Sequence, residues 1–178
     1  LKTVHRMVTS RAKIVAITHV SHATGAVNDV REICRIAHEA GALCVVDAAQ
    51  SAPHMSVDVR EIDCDILEIS GQKMLGPTGI GVLYAKEKIL ETMDPFMTGG
   101  DMIREVHTTH AKWNDVPWKF EAGTPPIAEA IGLGAAVRFL QNIGMNAIRS
   151  HEKKLTQLAL EKLKNIPGIK VFGPLEPE

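Results

Sequence analysis

The sequence predicts an α/β domain built on a mostly parallel sheet with one antiparallel strand. Three observations lead there. Short apolar runs of strand length recur at residues 13–19, 43–47 and 65–70, an amphipathic helical stretch of crossover length separates the first two, and a fourth apolar run follows the third too closely for any crossover.

The elements follow in order. The chain begins at Leu1 on what reads as a helix already under way. "KIVAITH", residues 13–19, is rich in β-branched residues and predicts a buried strand. "NDVREICRIAHEAG" places Val30, Ile33, Cys34 and Ala37 at helical spacing, with Asn28 or Asp29 able to cap its start and Gly41 its end. "LCVVD", residues 43–47, completes a βαβ unit, whose strands should be parallel and whose crossover should be right-handed. A polar loop with a short helix around 58–62 leads to the third strand, "DILEIS" at 65–70, and "GIGVLYA" from Gly79 should return antiparallel. "KEKILETM" predicts a helix, residues 94–126 a long irregular segment, Ile127 to about Ile143 a closely packed helix, and "NAIRSHEKKLTQLALEKLKNI" a second, amphipathic one. A strand-like run precedes the final "FGPLEPE", so the chain reads as a piece of a longer protein that leaves its sheet in the last helices.

Composition narrows the function classes. With 45% hydrophobic and 23% charged residues, the chain has the make-up of a globular domain with a substantial core. Its formal net charge is −1 and its basic residues are interspersed with acidic ones, which argues against nucleic-acid and anionic-membrane partners. No apolar run is long enough to cross a bilayer and no secretory signal opens the chain, so the cytoplasm is the expected location. Cys34, Cys44 and Cys64 form no CxxC pair and read as small buried residues. His107 and His110 lack an obvious third ligand, so no metal site is expected.

In an open α/β sheet, ligands sit beyond the carboxyl ends of the parallel strands. That rule selects His22 past the first strand, Asp47 closing the second, Gln50 one turn later, and Ser70 and Lys73 at the end of the third. Pyridoxal 5'-phosphate needs such a set: a lysine amine for a Schiff base, a carboxylate against the pyridine nitrogen, and donors for the phenolic oxygen and phosphate. "GPTGIG" follows the lysine rather than preceding it, which argues against a phosphate-binding P-loop or a dinucleotide fingerprint.

"THVSHATGAVNDVREICRIAHEAGALCVVDAAQSAPHMSVDV", "DCDILEISGQKMLGPTGIGVLYAKE", "GGDMI" and "WKFEAGTPPIAEAIGLGAAV", in that order, resemble segments of the SufS-like (group II) cysteine desulfurases of the class V aminotransferase family. The resemblance runs over essentially the whole chain. It implies the large domain of a fold-type-I transferase, with helices on both faces of the sheet. Residues 1–145 would be the central part of that domain, and 146–178 a helix and strand leading into a smaller one. It implies removal of sulfur from L-cysteine, giving L-alanine and an enzyme persulfide for iron-sulfur cluster assembly. A homodimer and a sulfur-acceptor protein are implied as partners. Relatives act on L-selenocysteine, so a selenocysteine lyase or an aminotransferase is the alternative, as is a catalytically silent homologue.

Position by position, the resemblance gives Lys73 the covalent link to the cofactor, Asp47 the pyridine nitrogen, Gln50 the phenolic oxygen and Ser70 a phosphate contact. Thr124 of "FEAGTP" would reach the phosphate of the neighbouring subunit, and Gly99 and Gly100 would lie near the partner's active site. Gly76 and Gly79 would let the backbone turn sharply after the lysine. Two positions depart from the pattern. Gln72 stands where the family has histidine, and can donate to a phosphate oxygen but cannot carry a proton near neutral pH. His22 stands where the family has asparagine, and either donates to the phenolic oxygen or faces away from it. The family's ring-stacking histidine would fall before Leu1, and its persulfide cysteine and substrate arginine after Glu178, so the segment alone is expected to lack turnover.

Overall fold

The structure is a computed structural model that describes residues 1–177. Helix α1 (Lys2–Met7) leads into strand β1 (Ile14–Thr18), helix α2 (Val30–Glu39), strand β2 (Leu43–Asp47), the single turn α3 (Val59–Ile62) and strand β3 (Ile66–Ser70). Strand β4 (Gly81–Ala85), helix α4 (Glu87–Thr92), strands β5 (Ile103–Val106) and β6 (Ala111–Trp113), and helices α5 (Ile127–Ile143) and α6 (Met145–Lys164) follow. The main sheet has four strands in the order β1-β2-β3-β4. β1, β2 and β3 are parallel, and β4 pairs antiparallel with β3 from Ile66–Ala85 to Ser70–Gly81.

Local chemistry accounts for the crossover. The side chain of Asp29 accepts the backbone N–H of Glu32 at 3.1 Å, which satisfies a donor that the first turn of α2 would leave open. At the far end the Ala42 N–H donates to the Ala37 carbonyl and the Gly41 N–H to that of His38, both at 2.9 Å, and Gly41 takes φ +77° to close the motif. Val30, Ile33, Cys34, Ile36 and Ala37 form the buried stripe of α2. Val30, Cys34 and Ala37 pack with Cys44 and Val46 of β2, Leu67 of β3 and Ile62 of α3 into the main core. Residues 43, 45 and 47 of β2 alternate with the buried Cys44 and Val46, so they line the opposite face of the sheet.

One buried carboxylate ties these elements together. Asp65 accepts from the Cys44 N–H at 2.7 Å and from His38 Nε2 at 2.8 Å, while Lys86 Nζ lies 3.1 Å away. Burial works to raise its pKa, but the Cys44 N–H, His38 and Lys86 outweigh it and hold the group below the usual aspartate range.

Two sequence expectations need correction. The segment 94–126 is not wholly irregular: β5 and β6 pair antiparallel within it, and Lys119 donates to the Leu90 and Glu91 carbonyls at 2.9 and 3.0 Å. Those carbonyls belong to the last turn of α4, which a cation suits. The strands are too short, four and three residues, to show a periodic pattern in the sequence. The strand expected just before "FGPLEPE" does not form among the described residues, because residues 165–177 find no strand to pair with.

Candidate active site

Register decides which side chains share the rim of the sheet. Asp47, the last residue of β2, pairs with Glu68 of β3, and β3 continues to Ser70 before a 3-10 helix, Gly71–Met74, that carries Lys73. Neighbours in register on parallel strands point to the same side, and residues two apart on one strand do so as well. Asp47, Glu68 and Ser70 therefore stand on the face opposite the buried Val46 and Leu67, at the carboxyl ends of adjacent strands.

The carboxylate of Asp47 is oriented locally. Its Oδ1 accepts the Ala49 N–H at 2.9 Å, and its main-chain oxygen accepts the His19 N–H at 2.8 Å. The Ala48 N–H donates to the Glu68 carbonyl at 3.0 Å, which holds the two strand ends level. A side-chain hydrogen bond with Asp47 pushes the Glu68 carboxyl above the usual glutamate range; burial and the charge of Asp47 add to this, and the charge of Lys73 opposes it. Three ionisable groups thus meet within electrostatic reach at one rim, and sequence reasoning named only two of them. The signal for Glu68 lay in its position two residues before Ser70 on the same strand, an alternation that becomes decisive only once β2 and β3 are in register.

The turn that carries Lys73 is shaped by backbone constraint. Leu75 closes it at φ +63° and ψ 10°, a left-handed conformation that leucine seldom adopts. Gly79 takes φ +80°, as a sharp return to β4 requires. Gly76 serves differently from the expectation: its φ is ordinary, but a Cβ there would lie 2.9 Å from the Gly71 carbonyl oxygen, so only glycine fits. Strain held two residues from a projecting amine is typical of functional turns. Lys73 and Gln72 are exposed, and the Ser70 hydroxyl makes no capping bond to the turn.

The other expected residues sit on loops. Gln50 is half-buried in the loop after β2 and lines a cavity of about 380 Å³ together with Thr24, Arg149 and Glu152. His54 lines the same cavity and pairs through Nδ1 with Glu152 Oε1 at 2.7 Å, which ties α6 to this loop. His22 is exposed in the loop after β1. Thr124 is exposed beside Gly123, whose N–H donates to the Gly100 carbonyl at 2.9 Å, so the two segments singled out from the long loop adjoin each other. Trp113 is half-buried in β6 and Trp118 exposed. The rings of His107 and His110 stack with centroids 4.4 Å apart, and among the described residues no three His, Cys, Asp or Glu side chains gather as metal ligands.

The cysteines are fully enclosed. Cys34, Cys44 and Cys64 are each at 0% exposure, and the Cys34 and Cys44 sulfurs lie 2.7 Å apart in the core. The hydrogen bond with Cys44, together with burial, drives the Cys34 thiol far up, and burial pushes that of Cys64 up to about 11. Neither is a thiolate at neutral pH, so neither is poised as a nucleophile.

Comparison with known proteins gives a consistent result. The family profile described as Aminotransferase class-V matches residues 1–178. A probable cysteine desulfurase of Halalkalibacterium halodurans is 52% identical over 174 residues, which are 98% of this chain and 43% of that protein. One from Synechocystis is 51% identical over 168 residues, 94% of this chain and 40% of the relative. Among solved structures, the Escherichia coli cysteine desulfurase CsdA superposes with a TM-score of 0.93 at 38% identity, covering 99% of this chain and 44% of that one. The apo cysteine desulfurase of Thermococcus onnurineus gives 0.88 at 41%, covering 97% and 43%. The chain therefore spans less than half the length of these relatives.

Proposed function

Because the chain belongs to the class V aminotransferase family, we propose that it holds pyridoxal 5'-phosphate and serves a cysteine desulfurase, which takes sulfur from L-cysteine and leaves L-alanine. One observation carries this reading: Asp47 and Lys73 extend from the carboxyl ends of neighbouring parallel strands, close enough that both act on Glu68. The names of the relatives at about half identity supply the substrate.

The donor set suits the cofactor. Lys73 offers an exposed amine for a covalent link, and Asp47 keeps acceptor capacity beyond its bond from Ala49. The Ser70 hydroxyl is uncommitted to the turn and available to a phosphate, with the Gln72 amide next to it in the chain. Gln50 and His22 would serve the phenolic oxygen, and Thr124 the phosphate of a neighbouring subunit. When bound, the cofactor supplies an electron sink for the pair released at the substrate α-carbon.

The residues then have distinct tasks. Asp47 would hold a proton at the ring nitrogen. Lys73 Nζ would take the substrate α-proton and return it. The attack on the substrate sulfur requires a thiolate, and the burial of Cys34, Cys44 and Cys64 excludes all three from that role.

The proposal extends, on the resemblance, to a homodimer, a sulfur-acceptor protein, iron-sulfur cluster assembly and a cytoplasmic setting. Residues 1–145 would belong to the cofactor domain and 146–178 would lead away from it. Exposed apolar side chains on the long loop, Phe96, Met97 and Trp118, support a protein contact there.

The test is direct. Protein mixed with pyridoxal phosphate and reduced with borohydride should gain one cofactor mass on the peptide containing Lys73, and Lys73→Ala should abolish both that adduct and the visible absorbance band. An intact band and an unchanged adduct in Lys73→Ala would overturn the proposal.

A further inference from the structure

The register of β2 on β3 sets two carboxyl groups side by side at the rim, Asp47 and Glu68, and only one of them has a task in the chemistry above. They come from adjacent parallel strands and share a face. The third strand in line offers Glu68 no counter-charge, because its partner on β4 is Leu83. Across β2, Asp47 faces Thr18 of β1. Among the described residues, the one cation acting on Glu68 at this rim is Lys73, on the turn that follows β3.

Two carboxylates set side by side on neighbouring strands disfavour each other's charge. We propose that Glu68 is a positioning residue that shares one proton with Asp47, its carboxyl donating to the Asp47 carboxylate so that the pair carries one negative charge. The proposal rests on the reading above for its functional consequence: Asp47 would meet the ring nitrogen already oriented, with Ala49 N–H on Oδ1 and the Glu68 carboxyl beside it. Ionisation of Glu68 at higher pH would put a second negative charge beside Asp47, within electrostatic reach of Lys73. The raised affinity of Glu68 for its proton agrees with this arrangement.

The test has two arms. The first uses the protein without cofactor, labelled with 13C at glutamate side-chain carboxyls, with Glu68→Gln to assign the Glu68 signal. Glu68 should titrate at higher pH than the exposed glutamates, and in the isosteric Asp47→Asn variant it should fall back among them. Titration at an unchanged midpoint in Asp47→Asn would overturn the shared proton. The second arm uses protein loaded with pyridoxal phosphate and follows the visible band against pH. Wild type should show a titration step that Glu68→Gln lacks, with the band itself retained, and identical pH profiles would overturn the link between Glu68 and the cofactor. If wild type takes up no cofactor on Lys73, the proposed function fails, and the first arm still decides the carboxyl pair.

Discussion

Asp65→Asn is the substitution whose cost the geometry defines best. The side chain sits at the start of β3, at the opposite end of the strand from Ser70, and is 5% exposed. It has three partners: Cys44 N–H, His38 Nε2 and Lys86 Nζ. Asparagine has the same shape and still accepts from Cys44, but it has no charge. A bond to a charged group is worth about 1 kcal/mol more than a neutral one, so three bonds lose about 3 kcal/mol. His38 and Lys86 are 30% and 35% exposed, and Lys86 keeps Asp63 at 2.7 Å, so solvent and the second carboxylate recover part of that. A net loss of about 2 kcal/mol remains, which for a slope of about 2 kcal/mol per molar urea moves the unfolding midpoint down by about 1 M.

The pH dependence carries a sign. The folded Asp65 holds its pKa below the ordinary 3.8, so its contribution is complete above that value and is lost as pH falls through the lower folded one. Urea unfolding of wild type and Asp65→Asn should therefore differ by the full amount at about pH 7 and by progressively less below about pH 4. A difference that holds constant down to about pH 3, or one below about 0.5 kcal/mol at neutral pH, would refute the assignment of a buried, charge-paired carboxylate.

Two further expectations concern the loop and the thiols. Lys119→Met keeps the aliphatic stem but leaves the Leu90 and Glu91 carbonyls without their donor, which costs about 1–3 kcal/mol and should speed amide exchange in α4 and the segment after it; unchanged exchange rates would show that the lysine does not hold that loop. Cys34, Cys44 and Cys64 should resist a thiol reagent in the folded chain and all three should react after unfolding, and rapid labelling of any of them under native conditions would contradict their burial.

Much of the site was legible because its residues lie where strands end, and strand ends are visible as the close of β-branched runs. Asp47 and Ser70 are the last residues of β2 and β3, and Lys73 follows at once. The βαβ unit was equally readable, since caps at Asp29 and Gly41 and the stripe of Val30, Ile33, Cys34 and Ala37 all specify the same helix. The β5–β6 hairpin was not, because its short strands are set by pairing and by the anchoring of Lys119 on α4 rather than by local pattern.

What the sequence determined by itself was therefore local: which runs become strand or helix, where they stop, and which chemical groups stand at the stops. Only the tertiary structure decided that Asp47 lies level with Glu68 and that a lysine turn follows at the same rim. The physical reason is that a one-residue slip between β2 and β3 would leave every local preference satisfied yet turn Glu68 to the other face, and pairing register is set by the shared packing of both strands against α2.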